Sequence, residues 1–327
     1  MNASAPSADS LRAALAGLLD GLPPKQAAQA VDRLIANYRG TTPTDTPVLR
    51  DRSDVAAYAA YRMPATFEAV RGALGALREG APDWEPRTHT DVGGGTGAAA
   101  WAVAEAWEER PPRTTVLDWA EPALALGREL AAGVLAAEWR TARIGGALRL
   151  ADADLVTVSY VLKELTEADR AALVTEAARA AQTVVIVEPG TPDGYERIIA
   201  ARTLLIEAGF TVAAPCPHSG ACPIEPGTDW CHFSARVSRS SLHRKVKGGS
   251  LPYEDEKYSY VAATRFPPAP ATSRITRRPQ LRKGLVLLEL CGPDGLTRDT
   301  VTKRHGPLYK QARDAEWGDS WPPEDEG

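Results

Sequence analysis

The run D-V-G-G-G-T-G at residues 91–97 constrains this chain more than any other feature. Four glycines in a row of seven let the backbone turn with positive φ and approach a ligand closely, and a following helix would aim its unpaired N–H groups at that ligand. The surroundings fit this role. Residues 88–92, 114–118, 154–159 and 183–188 are short apolar or β-branched runs that read as strands, and the Ala-rich stretches 98–107, 122–137 and 167–180 read as helices. A crossover helix at 195–208 leading to a strand at 210–213 continues the pattern. Strands alternating with helices imply a parallel, doubly wound α/β sheet whose ligand lies beyond the strands' carboxyl ends.

The loop spacing is G-x-G-x-G with an acid two residues ahead, which differs from the G-x-G-x-x-G of dinucleotide enzymes. It favours S-adenosylmethionine, and the expected fold is a class I S-adenosylmethionine methyltransferase (Rossmann-like) α/β fold. The candidate cofactor-binding residues are Asp91, Gly93, Gly94, Gly95, Gly97 and Asp118. Asp118 ends the second strand, where a carboxylate can accept both hydrogen bonds of a ribose diol. Asp152 or Asp154 is a weaker candidate for bracketing the adenine. After the fourth strand, S-Y-V-L-K-E-L at 159–165 contains no N-P-P-Y or D-P-P-Y tetrapeptide, and Lys163 and Glu164 read as a surface pair. No catalytic residue is assigned.

Around this unit, residues 1–85 read as an N-terminal helical region, with helical spacing at 11–38 and 55–77 and a Thr/Pro-rich link at 41–47. The Rossmann-like domain is expected over 86–215, a Cys-rich basic region with late strands over 216–313, and an acidic tail over 314–327. Charge is distributed unevenly. Residues 236–313 carry 17 Lys and Arg against 6 Asp and Glu, although the whole chain has a net charge of −4. A basic segment on an acidic protein points to a polyanionic partner such as RNA. The candidate RNA-binding residues are Arg236, Arg239, Arg244, Lys245, Lys247, Arg277, Arg278, Arg282, Lys283, Lys303 and Arg304. No apolar run approaches the roughly 20 residues of a membrane span, so no membrane partner is expected, and the lack of a recognisable leader leads to a cytoplasmic expectation.

All four cysteines, Cys216, Cys222, Cys231 and Cys291, fall in the basic half. In a reducing compartment they point to metal ligation more than to disulfides, and both zinc and an iron–sulfur cluster accept four sulfurs. The spacing is irregular for a zinc ribbon. Proline follows two of the cysteines, as happens in bacterial ferredoxins, yet His218 and His232 keep a mixed zinc shell open. Pro215-Cys216 also matches the Pro-Cys pair of cytosine-5 methyltransferases, but its place among other cysteines favours ligation.

Five segments in order then become recognisable: V-E-P-G-T-P-D-G at 187–194, C-P-H-S-G-A-C-P at 216–223, D-W-C-H-F-S-A-R-V-S-R at 229–239, Y-E-D-E-K-Y-S-Y at 253–260 and L-C-G-P-D-G at 290–295. Together, across roughly 91–321, the chain resembles a methyltransferase-like family tied to the small ribosomal subunit, whose mitochondrial members are assembly factors and which has bacterial relatives. The resemblance implies a 4Fe-4S cluster on the four cysteines, S-adenosylmethionine in the glycine loop and small-subunit ribosomal RNA as partner. An active S-adenosylmethionine-dependent rRNA methyltransferase, and a small-molecule methyltransferase with structural zinc, are the alternatives. Oligomeric state is not readable.

Overall fold

The computed structural model of the chain describes residues 6–19, 52–238, 251–269 and 271–323. Two β-sheets organise them. The first follows the expected alternation: β1 (Thr88–Val92), α3 (Ala98–Ala106), β2 (Arg113–Asp118), α4 (Glu121–Ala131), β3 (Ala137–Thr141), β4 (Ala153–Ser159), α5 (Glu167–Ala180), β5 (Ala181–Pro189), α6 (Pro192–Glu207) and β6 (Thr211–Ala214). They are preceded by α1 (Ala8–Leu19) and α2 (Arg52–Gly80), so the helical reading of 11–38 is met by α1 up to residue 19 and otherwise lies outside the described residues. The local signals are ordinary ones. Thr166 caps α5 by accepting the Asp169 amide, and Thr191 caps α6, which opens on Pro192.

The strand order is β3-β2-β1-β4-β5-β8-β6. β1 to β5 run parallel, and β8 (Tyr253–Thr264) is inserted antiparallel between β5 and β6. β7 (Phe233–Ser238) pairs with the first half of β8. The run 253–260 is the first part of β8, paired with β7 over 253–258 and with β5 from Tyr258 onward. Exposure alternates along 253–257, where only β7 lies beside it, and the buried residues 258–263, all apolar except Ser259, enter the sheet centre.

Central strands are buried on both faces, which explains their near-continuous apolar character. Leu155, Val185 and Val187 face α2, α3 and α4, whereas Val156, Val158, Val184 and Ile186 face α5 and α6. On α2, Val55, Ala59, Met63, Phe67, Val70, Leu74 and Leu77 recur at three- and four-residue spacing and are all essentially inaccessible. β3 begins at Ala137, the last residue of the helix expected over 122–137, and its other residues were assigned to no element from sequence. Gly127 on α4 admits the Trp139 ring of β3, since a Cβ there would meet the indole.

The second sheet has the order β10-β11-β9-β13, with β12 on β11: β9 (Ser273–Ile275), β10 (Gln280–Arg282), β11 (Leu285–Gly292), β12 (Gly295–Thr302) and β13 (Ser320–Trp321), with α7 (Pro307–Asp314) packed against β11 and β12. Ile275, Val286, Leu288, Leu290, Val301, Ala312 and Trp321 give it a core of its own. The Cys-rich basic segment therefore carries an apolar core besides its cysteines, built from residues that alternate along short strands. No helix of the described residues is long and apolar enough to cross a membrane.

Candidate functional site

At the carboxyl end of β1, the glycine loop turns with positive φ at Gly93 (69°), Gly95 (54°) and Gly97 (86°). Gly93 and Gly94 both donate to Leu117 O, at 2.7 and 3.1 Å, which ties the loop to the end of β2. Three of these glycines are small because protein packs on them: a Cβ would collide with Val161 at Gly93, with Asp91 and Val116 at Gly94, and with Trp139 at Gly97. Gly95 differs. The nearest atom to its Cβ position is Asp118 Oδ2 at 3.8 Å, so this glycine borders open space and leaves the backbone approachable.

Asp118 is almost buried, and its carboxylate is anchored on both sides: Oδ2 accepts from Gly95 N at 2.9 Å and Oδ1 from Ala120 N at 2.8 Å. Each oxygen keeps a free lone pair, the number a ribose diol requires. The adjacent Trp119 is one of the few large apolar side chains left exposed, at 37%. Sequence reasoning overlooked it; an aromatic directly after the strand-ending acid was the available signal.

Asp91 lies beneath the loop, fully buried. Its Oδ1 accepts from Thr157 Oγ1 at 2.9 Å, and its Oδ2 has no hydrogen-bond partner among the described residues. Burial pushes its pKa from the usual 3.8 to about 7, opposed by the Thr157 hydrogen bond and reinforced by Asp118. Behind Thr157 stands the buried His89, with Nε2 2.8 Å from Thr157 Oγ1 and Nδ1 3.1 Å from Thr114 Oγ1. Thr157 donates to Asp91, so its oxygen is free to accept from His89 Nε2–H, and burial holds this imidazole neutral by lowering its pKa to about 3.

The weaker adenine candidates sit elsewhere. Asp154 Oδ2 accepts from Arg87 N, Thr88 N and Thr88 Oγ1 at the amino ends of β1 and β4, opposite to the loop, and Asp152 pairs with Arg179. Lys163 and Glu164 lie exposed on a single 3-10 turn. Following β4, Tyr160 is a non-glycine residue with positive φ, 61°; its hydroxyl donates to Glu256 Oε1 at 3.0 Å, and Arg62 of α2 pairs with the same carboxylate at 3.0 Å.

The cysteines come together from distant parts of the chain. Cys216 follows β6, Cys222 lies in the next loop, Cys231 precedes β7 and Cys291 is on β11, yet all four line one cavity at the junction of the two sheets. Burial pushes the Cys216 and Cys231 thiols up and Cys291 to about 12. Among the described residues, no three His, Cys, Asp or Glu side chains converge on a point as the shell of a single ion would. His218 Nε2 lies 4.0 Å from Cys291 Sγ, whereas the His232 ring is stacked on Trp230 and edge-on to Trp317, away from the cavity lining.

Of the basic candidates, Arg278, Arg282, Lys283, Lys303 and Arg304 are exposed on the second sheet and its turns. Arg236 is exposed on β7 but pairs with Asp255 and lies over Tyr253. Arg277 is held by Asp229 and by Trp230 O. Arg239, Arg244, Lys245 and Lys247 lie outside the described residues.

The mixed sheet and its glycine loop define a methyltransferase-like α/β protein. The family model for the mitochondrial small ribosomal subunit protein Rsm22 matches residues 52–322, and the chain belongs to that family. It is 31% identical over 290 residues to the human mitochondrial ribosome assembly protein METTL17, covering 81% of this chain and 62% of that protein. It is 27% identical over 182 residues to an Rsm22-cox11 tandem protein of fission yeast (Schizosaccharomyces pombe), which is also mitochondrial, covering 42% of this chain and 24% of the relative. The chain thus spans less than two thirds of these relatives. Among solved structures it is similar to an RNA methyltransferase-type protein of Pyrococcus horikoshii (14% identity, 72% of this chain and 96% of the other, TM-score 0.39). It is likewise similar to magnesium protoporphyrin IX methyltransferase of Synechocystis bound to S-adenosylmethionine (14%, 62% and 80%, TM-score 0.40). The fold itself rests on this chain's own strand order.

The relatives overturn the cytoplasmic expectation, since the family and these curated members are mitochondrial. Organelle addresses are read by receptors and leave no trace in the folded core, so composition was the wrong guide to compartment.

Proposed function

We propose that this chain assists assembly or translation of the small ribosomal subunit, binding its ribosomal RNA through the basic second sheet while holding S-adenosylmethionine in the glycine loop and a 4Fe-4S cluster on Cys216, Cys222, Cys231 and Cys291. The observation that carries this reading is the shared cavity of the four cysteines, at the seam between the methyltransferase-like sheet and the basic sheet. Zinc and an iron–sulfur cubane both accept four sulfurs, and four cysteines lining one cavity supply that number; the cubane is preferred because the zinc-ribbon spacing is lacking and proline follows two of the cysteines. When bound, the cluster would supply a covalent link between the sheets. That METTL17 is named a ribosome assembly protein supports the same direction.

For the cofactor, Asp118 would accept the ribose diol and the Gly95 backbone would lie against the ligand, with Asp91, Gly93, Gly94 and Gly97 shaping the loop. Methyl transfer is assigned no residue: Tyr160, at the edge where an acceptor would enter, already donates its hydroxyl to Glu256. In-cell cross-linking followed by sequencing of the bound RNA tests the partner, with small-subunit rRNA expected in the cross-links. Ribosomal RNA from a deletion strain should show a subunit-maturation defect with every methyl group retained. A missing methyl group would establish the enzymatic alternative, and a protein that ignores RNA would sink both.

A further inference from the structure

We propose that Arg202 and Arg274 are the charge-balancing residues of the cysteine cavity, two buried guanidiniums whose counter-ion is an anionic, thiolate-ligated metal cluster and which set its retention and reduction potential. The inference rests on the cluster reading above and extends it to residues that are not ligands.

Arg202, on α6, is 4% exposed, and Arg274, on β9, is 2% exposed; both line the cavity. A guanidinium keeps its proton in a protein and costs several kcal/mol to bury without compensation. The hydrogen bonds of Arg202 go to carbonyls, with Nη2 donating to His218 O at 2.9 Å and Gly220 O at 2.7 Å. Its Nε is buried and, among the described residues, has no acceptor at hydrogen-bonding geometry. Arg274 donates from Nε to Pro215 O at 3.2 Å and from Nη1 to Gly318 O at 2.9 Å; its carboxylate partner, Glu79, is more than half exposed and does not line the cavity. Among the described residues no Asp or Glu lines the cavity, so its negative charge would come from the cysteine sulfurs once a metal ligates them.

Metal ligation removes the thiol protons outright. Four thiolates around an iron–sulfur core leave a net anion, and two fixed cations then match it. The same carbonyl bonds place the arginines structurally: Arg202 clamps the loop between Cys216 and Cys222, and Arg274 grips the residue before Cys216. Tyr195 adds a neutral donor, its hydroxyl lying 3.1 Å from Cys222 Sγ. Positive charge and hydrogen bonds near the sulfurs favour the reduced, more negative cluster.

The test compares full-length wild type, Arg202→Gln, Arg274→Gln, Arg202→Lys and Tyr195→Phe after anaerobic loading with iron and sulfide. Midpoint potential is followed by electron paramagnetic resonance, and iron loss is followed with a chelator. Each Gln variant should lower the potential by at least a tenfold change in the reduced-to-oxidised ratio, about 59 mV for one electron, and should lose iron faster. Arg202→Lys should return most of the shift, and Tyr195→Phe should give a smaller one. A loaded Arg202→Gln protein with wild-type potential and wild-type iron loss overturns this proposal alone. Wild type that takes up no iron and sulfide overturns the cluster reading and this inference with it. Where a Gln variant does not load, Arg202→Lys decides: restored loading supports the charge, while failure in a protein with a wild-type melting curve shows a role of shape and overturns it.

Discussion

Asp118 Oδ2 accepts the Gly95 amide at 2.9 Å, so the acid expected to hold a ribose and the glycine expected to touch the ligand form one hydrogen-bonded unit. Removing the carboxylate frees the loop and deletes the diol acceptor together. Asp118→Ala should weaken S-adenosylmethionine binding by about 10- to 100-fold, the range for losing charge-assisted hydrogen bonds. Calorimetry checks it, and unchanged affinity removes Asp118 from the site.

Substitutions at two neighbouring glycines should fail for different reasons. At Gly95 a side chain meets open space, so Gly95→Val should fold, with a left-handed-backbone penalty of about 1–2 kcal/mol, and lose cofactor affinity by roughly a hundredfold or more. At Gly94 it would drive into Asp91 and Val116, so Gly94→Val should lose thermal stability first. A melt beside each titration separates them; equal melting temperatures for the two variants would contradict the packing argument.

Asp91 and His89 should impose opposite pH slopes on stability. The folded-state pKa of Asp91 is raised from 3.8 to about 7 by burial, so the native state holds a proton that the unfolded chain releases, and stability falls as pH climbs through that window. The His89 pKa is lowered from 6.5 to about 3, also by burial; the unfolded chain takes the proton first, and stability falls as pH drops from 6.5 toward 3. Urea unfolding at a series of pH values should show Asp91→Asn gaining on wild type as pH rises from 4 to 7. His89→Gln should gain as pH falls, each by no more than a few kcal/mol at about 1.4 per unit. Curves parallel to wild type would refute the assignments.

Because Cys291 reaches the cavity from the second sheet, the metal should staple that sheet to the first. Anaerobically purified protein should be brown, and each of Cys216→Ser, Cys222→Ser, Cys231→Ser and Cys291→Ser should bleach it while sparing cofactor binding. The second sheet keeps its own apolar core, so the loss should loosen its attachment more than its internal fold. Hydrogen exchange would locate the change at 216–231 and around β9; protection lost uniformly across β10–β12 would oppose this.

Lys283, Lys303 and Arg304 share one end of the β11–β12 hairpin, where Lys303 N donates to Gly284 O at 3.2 Å. Alanine at any one should weaken rRNA binding across sequences and lower the log–log salt slope by about 1. Arg277→Ala should act instead through the cysteine loop, because Arg277 is engaged by Asp229 and Trp230. An unchanged salt slope in the triple variant would move the RNA surface elsewhere.

Local chemistry wrote the glycine loop, the strand-ending acid and the parallel βα units into the sequence, since capping residues, periodicity and positive-φ glycines act over a few neighbouring positions. The same short range accounts for what was misread or missed. β3 follows directly on α4 and is held there by Trp139 packing on Gly127; β8 takes its place through pairing with β5, β6 and β7 from far along the chain. The four cysteines were countable in sequence, but their common cavity depends on Cys291 crossing from a second sheet. Nothing in the sequence singled out Arg202 and Arg274, and only tertiary packing buried them. Spacing along a chain carries no information about which distant segments exclude water together, and burial is what turns a cation into part of a site.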